Sequence, residues 1–562
     1  MKKSLIFAIA LPLLCSAQDL TTEVVVDRTV AVDLPSASPL AEVMPALSLP
    51  AVTNPGLHTS DYTLTADFTP TVSTGNAGTY TGLTLPYGYR GFAWLGYFPA
   101  YNLGAGIGYS LLNDSINKLD LSAAFEGASW KGEDINGTSP TQRYNTFDIK
   151  AGYTHIFRNS TILRAYADYG HDALRMPYDS YVDGNDAPQD FNRGNFGVSV
   201  AQDGEVSYSA HAFYRFFNVG KDITVASPAM IPQKLSGAGE SMYGIDGSIS
   251  AELKSKSKIY LGIRAVNQNV DGWYPGWGTI YSIDKNIWLL GLNPTFSFPI
   301  KAFDIRLGIH VDMSNNGAGF GFRAAPDLGF VWHTSKWFEV YADADGGDYF
   351  NSLYNAYDYS IFAPEYAVYD LMTIRIDAKA GIRTASFAGF SADLHVGYSD
   401  ANDVAMPSIS VMNGDWTTRG FVNRDVSGWS AGVTLDYSYR DILKAKVDAE
   451  LYSHNRGKGY WQNLDNARAV LNAEVEVKAT DRLTVGASYR LRSDRFAFYN
   501  ILSYSEYRLG SVSDFGLRGT YLFDRQLSFF ARIDNLFCHR YQILPGIRSQ
   551  GIHGLVGVTY LF

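Results

Sequence analysis

Cysteine is almost absent from this chain of 562 residues, which contains only Cys15 and Cys538. A disulfide framework is therefore excluded as the source of its stability. Long apolar runs are missing as well. After residue 17, no stretch approaches the roughly 18 to 20 uninterrupted apolar residues that a membrane helix needs. Any crossing of a membrane must therefore be made by strands.

A net positive charge and catalytic motifs are also lacking. The net charge of −10 opposes a nucleic-acid surface, so no nucleic-acid partner is expected. The chain has no HExxH motif and no paired CxxC motif, which excludes the common zinc centres. A G-x-S-x-G pattern surrounds Ser430, but it opens a predicted strand instead of the strand-turn-helix elbow that a serine nucleophile requires. We predict that the protein is not an enzyme and has no cofactor.

Alternation of apolar and polar residues is the main feature that is present. Residues 443–451 read Leu-Lys-Ala-Lys-Val-Asp-Ala-Glu-Leu. Because strand side chains point alternately to opposite faces, one face of this segment suits lipid and the other suits water. Residues 303–311, 372–380 and 483–491 show the same pattern. Charged residues are too frequent on the second face for a dry sandwich core, which predicts a wide, wet lumen.

Short and long connections alternate between these strands. Short polar breaks lie, for example, at 334–336 and 479–481, whereas long connections are predicted near 270–284, 347–370 and 401–428. Outer-membrane barrels have short turns on the periplasmic side and long loops outside, and about 22 strands fit this spacing. We predict an all-β fold, a large antiparallel transmembrane β-barrel over residues 89–562.

The segment before the barrel divides into a leader and an arm. Residues 1–17 have the basic start, apolar run and small final residues of a secretory signal peptide. The bulky Leu14 argues against lipid attachment at Cys15. Residues 18–88 are rich in Pro, Thr, Ser and Ala and lack sustained periodicity. They are predicted to form an extended periplasmic arm, part of which could enter the lumen.

The last strand carries a barrel-closing signal. Val556, Val558, Tyr560 and Phe562 share one face of a strand that ends the chain on an aromatic residue. This pattern is typical of the closing strand of an outer-membrane barrel, and an ordinary sandwich strand is the competing interpretation. The signal implies the barrel assembly machinery and outer-membrane lipid as partners.

The C-terminal residues resemble those of the TonB-dependent receptor family, whose barrels have 22 strands and a plugged lumen. The resemblance is carried by the run Ala-Arg-Ile-Asp-Asn-Leu-Phe at 531–537, by Tyr541, Pro545-Gly546 and Arg548, and by residues 554–562. Cys538 stands where the family usually has Asp. The family's plug is longer than residues 18–88, so the plug is expected to be absent or strongly reduced.

The resemblance also implies a contact with the TonB protein. Glu23, Val24, Val25 and Val26 look like the short apolar TonB box near a mature N-terminus, which pairs with a partner strand by edge addition. A β-prone stretch within a disordered arm is the competing interpretation.

The long connections contain two candidate binding features. Aromatic side chains could stack on a ligand or anchor a partner, and they could equally form interface girdles; they are Trp273, Tyr274, Trp277, Tyr354, Tyr357 and Tyr359. Asp343, Asp345 and Asp348 place three carboxylates where a hard cation such as Ca²⁺ could bind. The order of an EF-hand fails because Tyr354 replaces the bidentate Glu, and solvated rim carboxylates are the alternative.

Two functions follow from these features. The first is uptake or passage of a solute across the outer membrane by a TonB-dependent-receptor-like barrel. The second is a structural scaffold in a multiprotein outer-membrane complex. A lumen of about 22 strands left open would make the membrane leaky. It must be filled by the arm, by inward-folded loops, or by a separate plug protein or lipoprotein.

Overall fold

The computed structural model describes residues 88–562 except 100, 133–140, 176–187, 221–222, 228–229, 236, 254–255, 277–278, 316–318, 363–369, 385–387, 413–415, 441, 454–460, 462 and 500–505. The predicted signal peptide, nearly all of the predicted arm and the TonB-box-like residues Glu23 to Val26 lie outside these residues. Within the described part of the chain, no helix is long and apolar enough to cross a membrane.

Twenty-two strands form one sheet. They are β1 (Gly91–Phe98), β2 (Asn102–Asn113), β3 (Asn117–Lys131), β4 (Thr141–Ile156), β5 (Ile162–Arg175), β6 (Pro188–Gln202), β7 (Val206–Val219), β10 (Gly239–Glu252), β11 (Lys258–Gly276), β12 (Thr279–Ile300), β13 (Phe303–Asn315), β14 (Phe320–His333), β15 (Phe338–Phe350), β16 (Leu371–Thr384), β17 (Phe390–Met412), β18 (Trp416–Tyr439), β19 (Leu443–Tyr452), β20 (Ala469–Lys478), β21 (Leu483–Tyr499), β22 (Glu506–Leu522), β23 (Leu527–Asp534) and β26 (His553–Leu561). Among the described residues, two small hairpins, β8 (Ile223–Ser227) with β9 (Met230–Leu235) and β24 (Gln542–Leu544) with β25 (Ile547–Arg548), and one helix, α1 (Leu353–Tyr359), lie in the connections.

The sheet closes on itself. Each strand pairs antiparallel with the next one along the ring, and β26 pairs antiparallel with β1, with Val558 opposite Leu95. No edge is left at this seam, as a membrane barrel requires. The predicted fold, an antiparallel barrel of about 22 strands, is confirmed.

Side chains alternate between the two faces of the wall as the sequence pattern predicts. In β19, Leu451 points outward and is 62% exposed, whereas Glu450 on the inner face contacts His395. The outer face of the other strands carries large exposed apolar side chains in the same way, such as Ile245, Leu394 and Val556. This outer face is suited to lipid.

The connections differ at the two ends of the barrel. One end has short turns, such as residues 301–302 and 334–337, and the other end has the longer connections. Two of the predicted long loops are wrong: residues 401–412 belong to β17 and 416–428 to β18, and most of 270–284 belongs to β11 and β12. Paired strands satisfy the backbone hydrogen bonds that a free loop would leave to water.

The seam is packed around Trp94 on the inner face of β1. A Cβ atom added at Gly106 would lie 2.2 Å from the indole Nε1, and one added at Gly104 would lie 2.7 Å from the ring. These glycines of β2 therefore leave room for the tryptophan ring. Phe92, Leu555 and Leu561 complete a buried apolar cluster at this place.

The residues of the predicted closing signal line the outer side of the same seam. Val556, Tyr560 and Phe562 are exposed there, and the ring of Phe562 stacks on Tyr109 at 6.1 Å between centroids. The carbonyl of Phe562 accepts hydrogen bonds from the backbone of Arg90 and Gly91, both at 2.8 Å. The final residue thus bridges the first and last strands.

Candidate functional site

The inner wall near the short turns carries charged pairs that stay partly exposed. Arg306 lies 3.0 Å from Asp327 and 3.3 Å from Asp343, and Arg518 lies 3.2 Å from Glu476. Exposed ion pairs of this kind add about 0 to 1 kcal/mol each to stability. Their main effect is to keep this half of the lumen hydrated.

The other half of the lumen is filled by an apolar core, which we call the closure core. It joins inner-wall residues to three connecting segments that fold inward. Those segments supply Leu353, Ala356, Tyr357, Ile361 and Phe362 from the connection after β15, Trp461 and Leu464 from the connection after β19, and Tyr541, Ile543, Leu544 and Ile547 from the connection after β23. Each fully buried Leu, Ile or Phe of this size contributes about 1.5–3 kcal/mol, so the closed arrangement has a strong apolar driving force.

Helix α1 is held against the wall by a cap, by rings and by charge. The side chain of Ser352 accepts a hydrogen bond from the backbone of Asn355 and caps the first turn. Tyr357 packs on Phe217 with 5.1 Å between ring centroids, and the guanidinium of Arg215 lies 4.5 Å from the ring centre of Tyr354. The helix is therefore part of the barrel interior.

Carboxylates of the inner wall bind Arg193 and the first backbone group of α1. Arg193 lies between Asp148 and Asp172, at 2.5 and 3.0 Å, and stands 5.7 Å from the ring centre of Tyr357. The carboxylate of Glu240 accepts a hydrogen bond from the backbone of Leu353 at the start of α1. Buried charges are costly unless they are paired and hydrogen-bonded, and the site of Arg193 with its two aspartates meets this condition.

Arg495 of β21 connects two of the inward segments. Its Nε donates to Asp465 at 2.6 Å, and its Nη1 donates to the carbonyl of Gln542 at 2.7 Å. Arg492 donates to the second oxygen of Asp465 at 3.2 Å. Burial alone would raise the pKa of Asp465, but the two guanidinium groups outweigh it and hold that pKa below its ordinary value.

Strands β17 and β18 add a fourth element to the closure. Their pairing shifts register between Ala401 and Val404, where Asp403 has a φ of 57°. Beyond this bulge, Ser408 of β17 pairs in parallel with Phe498 of β21, although β18, β19 and β20 lie between these two strands in the ring. A bulge bends a strand in this way. The β17–β18 ribbon, residues 404–412 and 416–424, therefore leans across the mouth of the barrel.

The predicted binding aromatics do not form one surface. Tyr357 is buried in the closure core, where it packs on Phe217. Tyr354 lies on Arg215, while Trp273 and Tyr274 belong to β11, in hairpin pairing with β12. Trp277 and the side chains of Trp273, Tyr274 and Tyr359 lie outside what the structure describes.

The three candidate calcium ligands have separate partners. Asp343 pairs with Arg306, and Asp345 lies 3.0 Å from His310. Asp348 accepts a hydrogen bond from Thr373 at 2.7 Å, behind a bulge in β15. Among the described residues, no group of three or more acidic, histidine or cysteine side chains could hold a metal ion. The arrangement does not support the calcium hypothesis.

Ser430 is a strand residue, as predicted. It lies within β18, opposite Gly397 of β17 and Tyr452 of β19. A residue paired on both sides in a sheet has no strand-turn-helix elbow, so the geometry of a serine nucleophile is missing at this position.

Solved structures share this architecture. A variant of the ferric enterobactin receptor of Pseudomonas aeruginosa matches with a TM-score of 0.60 and 14% identity, over 84% of this chain and 80% of that chain. The ferripyoverdine receptor of the outer membrane of Pseudomonas aeruginosa, bound to ferripyoverdine, matches with a TM-score of 0.61 and 14% identity, over 84% of this chain and 72% of that one. The chain has the fold of an outer-membrane receptor barrel. No family model and no curated protein matches it.

Proposed function

We propose that this protein is an outer-membrane barrel for the gated uptake of a solute, with its outer mouth closed by its own connections. The observation that carries the proposal is the combination of a hydrated, charge-lined inner wall with a closure core built from segments that belong to connections. A barrel wall is rigid because its strands are hydrogen-bonded on both sides, whereas connections can move. Opening would therefore displace the closure core and leave the wall intact.

The outer face supports a place in the membrane. Its exposed side chains are apolar along the middle of the strands and aromatic near the ends, for example Trp332 and Phe529 near the short turns. Aromatic girdles of this kind mark the two membrane interfaces of outer-membrane barrels. We place the short turns in the periplasm and the closure core towards the outside of the cell.

The solute class is proposed from the fold likeness alone. The two similar receptors are named for ferric enterobactin and ferripyoverdine, so ferric siderophores are the first solutes to test. Coupling to TonB is proposed with them and rests on the sequence resemblance of Glu23 to Val26. Deletion of residues 18–30 tests it directly: uptake that continues unchanged would contradict a TonB box in this segment.

Conductance in planar bilayers tests the gate. The intact barrel is expected to pass little current. A variant in which a short Gly-Ser linker replaces residues 352–369 is expected to conduct strongly, since it loses α1 and the apolar residues after it. Deletion of residues 178–185, in the connection between β5 and β6, is the control. A large ohmic current through the intact barrel would contradict the closed state.

A scaffold role is the second candidate, and the dryness of the closure core favours it. Ile543, Ile547 and Leu464 have no exposed surface, as in the interior of a permanently folded domain. A scaffold predicts stoichiometric co-purification with other envelope proteins and no uptake of any solute. Gated uptake predicts that solute passage survives purification of the barrel alone.

A further inference from the structure

Three neighbouring turns at the short-turn end carry lysines. Residues 253–257, 301–302 and 334–337 join β10 to β11, β12 to β13 and β14 to β15, which follow one another around the ring. Lys256, Lys301 and Lys336 are exposed in these turns, and the turns contain no Asp or Glu. Two other turns on this rim differ: Lys478 lies 3.4 Å from Asp481, and Asp524 stands beside Arg525.

The carboxylates beside residues 301–302 and 334–337 are already engaged, whereas Glu252, directly before residues 253–257, is exposed. Asp304 lies 2.8 Å from His333, and Glu339 lies 2.7 Å from Arg383 and 2.9 Å from the same histidine. Asp304 and Glu339 belong to the inner face, because their neighbours Ile305 and Val340 point outward with the alternation of the strands. Lys301 and Lys336 therefore keep a positive charge that these carboxylates do not neutralise, and Lys254, Lys256 and Lys258 outnumber Glu252 at the first turn.

An aromatic patch covers the outer face directly beside these turns. Phe296 and Phe298 of β12 lie 5.2 Å apart, and Phe303 of β13 lies 5.6 Å from Phe330 and 5.8 Å from Trp332 of β14. Beyond it, the ammonium group of Lys336 stands 5.0 Å from the ring centre of Trp337. Apolar rings followed by cations reproduce the order of acyl chain and headgroup across a membrane interface.

Two of the lysines occupy an unfavourable backbone conformation. Lys256 has a φ of 60° and Lys301 a φ of 54°, both in the left-handed region. Gly or Asn adopts this region at lower cost than a residue with a long side chain. Turn geometry alone therefore does not favour lysine at these places.

We propose that Lys256, Lys301 and Lys336 form a binding surface for the headgroup of an anionic phospholipid in the inner leaflet of the outer membrane. The lysines attract the phosphate, and the aromatic patch from Phe296 to Trp332 contacts the acyl chains. The proposal rests on the membrane placement given above and is independent of what the barrel transports. Basic clusters beside a membrane span bind anionic lipids by this electrostatic attraction.

Native mass spectrometry of the delipidated, detergent-solubilised full chain tests the surface. Palmitoyl-oleoyl phosphatidylglycerol is titrated against phosphatidylethanolamine with the same acyl chains. Replacement of all three lysines by Gln is expected to weaken phosphatidylglycerol binding about tenfold or more, given the contribution of each basic residue near a membrane surface, and to leave phosphatidylethanolamine binding unchanged. The matched control replaces Arg158, Arg482 and Arg525, which lie in other short turns, by Gln.

Equal binding of the two lipids by the unaltered chain, or equal loss in both triple variants, would overturn the proposal.

The double variant K256N/K301N separates charge from folding. Asn tolerates the left-handed conformation, so this barrel is expected to be at least as stable as the original while its preference for phosphatidylglycerol falls. An unchanged preference in this stable variant would also overturn the proposal. Conductance is measured separately, so failure here leaves the gated-uptake proposal standing.

Discussion

Arg495 and Asp465 form a buried ion pair of 2.6 Å inside the barrel, and Arg495 is only 1% exposed. The same guanidinium reaches the backbone of Gln542, so one cation holds two inward segments that are far apart in sequence. A charge at such a position is stable only while its partner is present, because water cannot replace the partner. The pair therefore links the electrostatics of the wall to the closure of the mouth.

Asp465→Asn is expected to weaken the closure by about 3–5 kcal/mol, since it leaves two buried arginines without their counter-ion. Heat-dependent mobility on gels and planar-bilayer current measure the effect. The control is Asp481→Asn, at a fully exposed carboxylate that pairs with Lys478. Equal behaviour of the two variants would show that the buried pair does not hold the closure.

The same pair sets a pH dependence. The folded-state pKa of Asp465 lies below its ordinary value of 3.8. A lowered carboxylate pKa contributes stability that is fully present above 3.8 and is lost as the pH falls through the folded value. We expect the current to stay low from neutral pH down to about pH 4 and to rise below it. In the Asp465→Asn variant, the part of the rise in current at low pH that Asp465 causes should disappear. If the current of this variant depends on pH as that of the unaltered barrel does, other carboxylates cause the rise.

Gly106→Ala is expected to destabilise the seam by about 1–3 kcal/mol, the usual cost of overpacking. The added methyl group would meet the indole of Trp94. Thermal unfolding, followed by the loss of the compact gel band, measures the change. Gly204→Ala is the control, because its nearest atom would be 3.6 Å from the new Cβ. The double variant G106A/W94L should recover part of the loss, and the absence of any recovery would contradict the contact.

The sequence predicted what strand alternation and turn spacing control. Residues 443–451 show how: every second side chain is apolar, and β19 places Leu451 outward and Glu450 inward. The number of strands and the closing strand ending at Phe562 follow from the same local rule. A period of two is determined by neighbouring residues, so it can be read without knowledge of long-range contacts.

The closure could not be predicted in this way. Tyr357 lies among aromatic residues of a long connection, and nothing local distinguishes a ring that binds a ligand from one that packs on Phe217. Residues 401–428 resemble a polar loop in sequence, yet residues 401–412 and 416–428 belong to a paired ribbon that reaches Phe498. Contacts between segments that are distant in sequence decide both cases. The sequence contained one weak indication that Arg495 is important: it is a charged residue directly before an aromatic segment.

Phe362→Ala is expected to open the mouth without unfolding the barrel. Phe362 is 2% exposed and meets the ring of Trp130 edge to face at 5.9 Å, so its loss leaves a cavity that costs about 3–5 kcal/mol. The strands keep their own hydrogen bonds, and the cost falls on the closure core. Limited proteolysis from the outer side and planar-bilayer current should therefore both rise, while the heat-resistant gel band persists. Phe322→Ala, at a residue of β14 that is 63% exposed, should change neither measurement. A closure that stayed resistant to protease in Phe362→Ala would show that the other two inward segments suffice to hold the mouth shut.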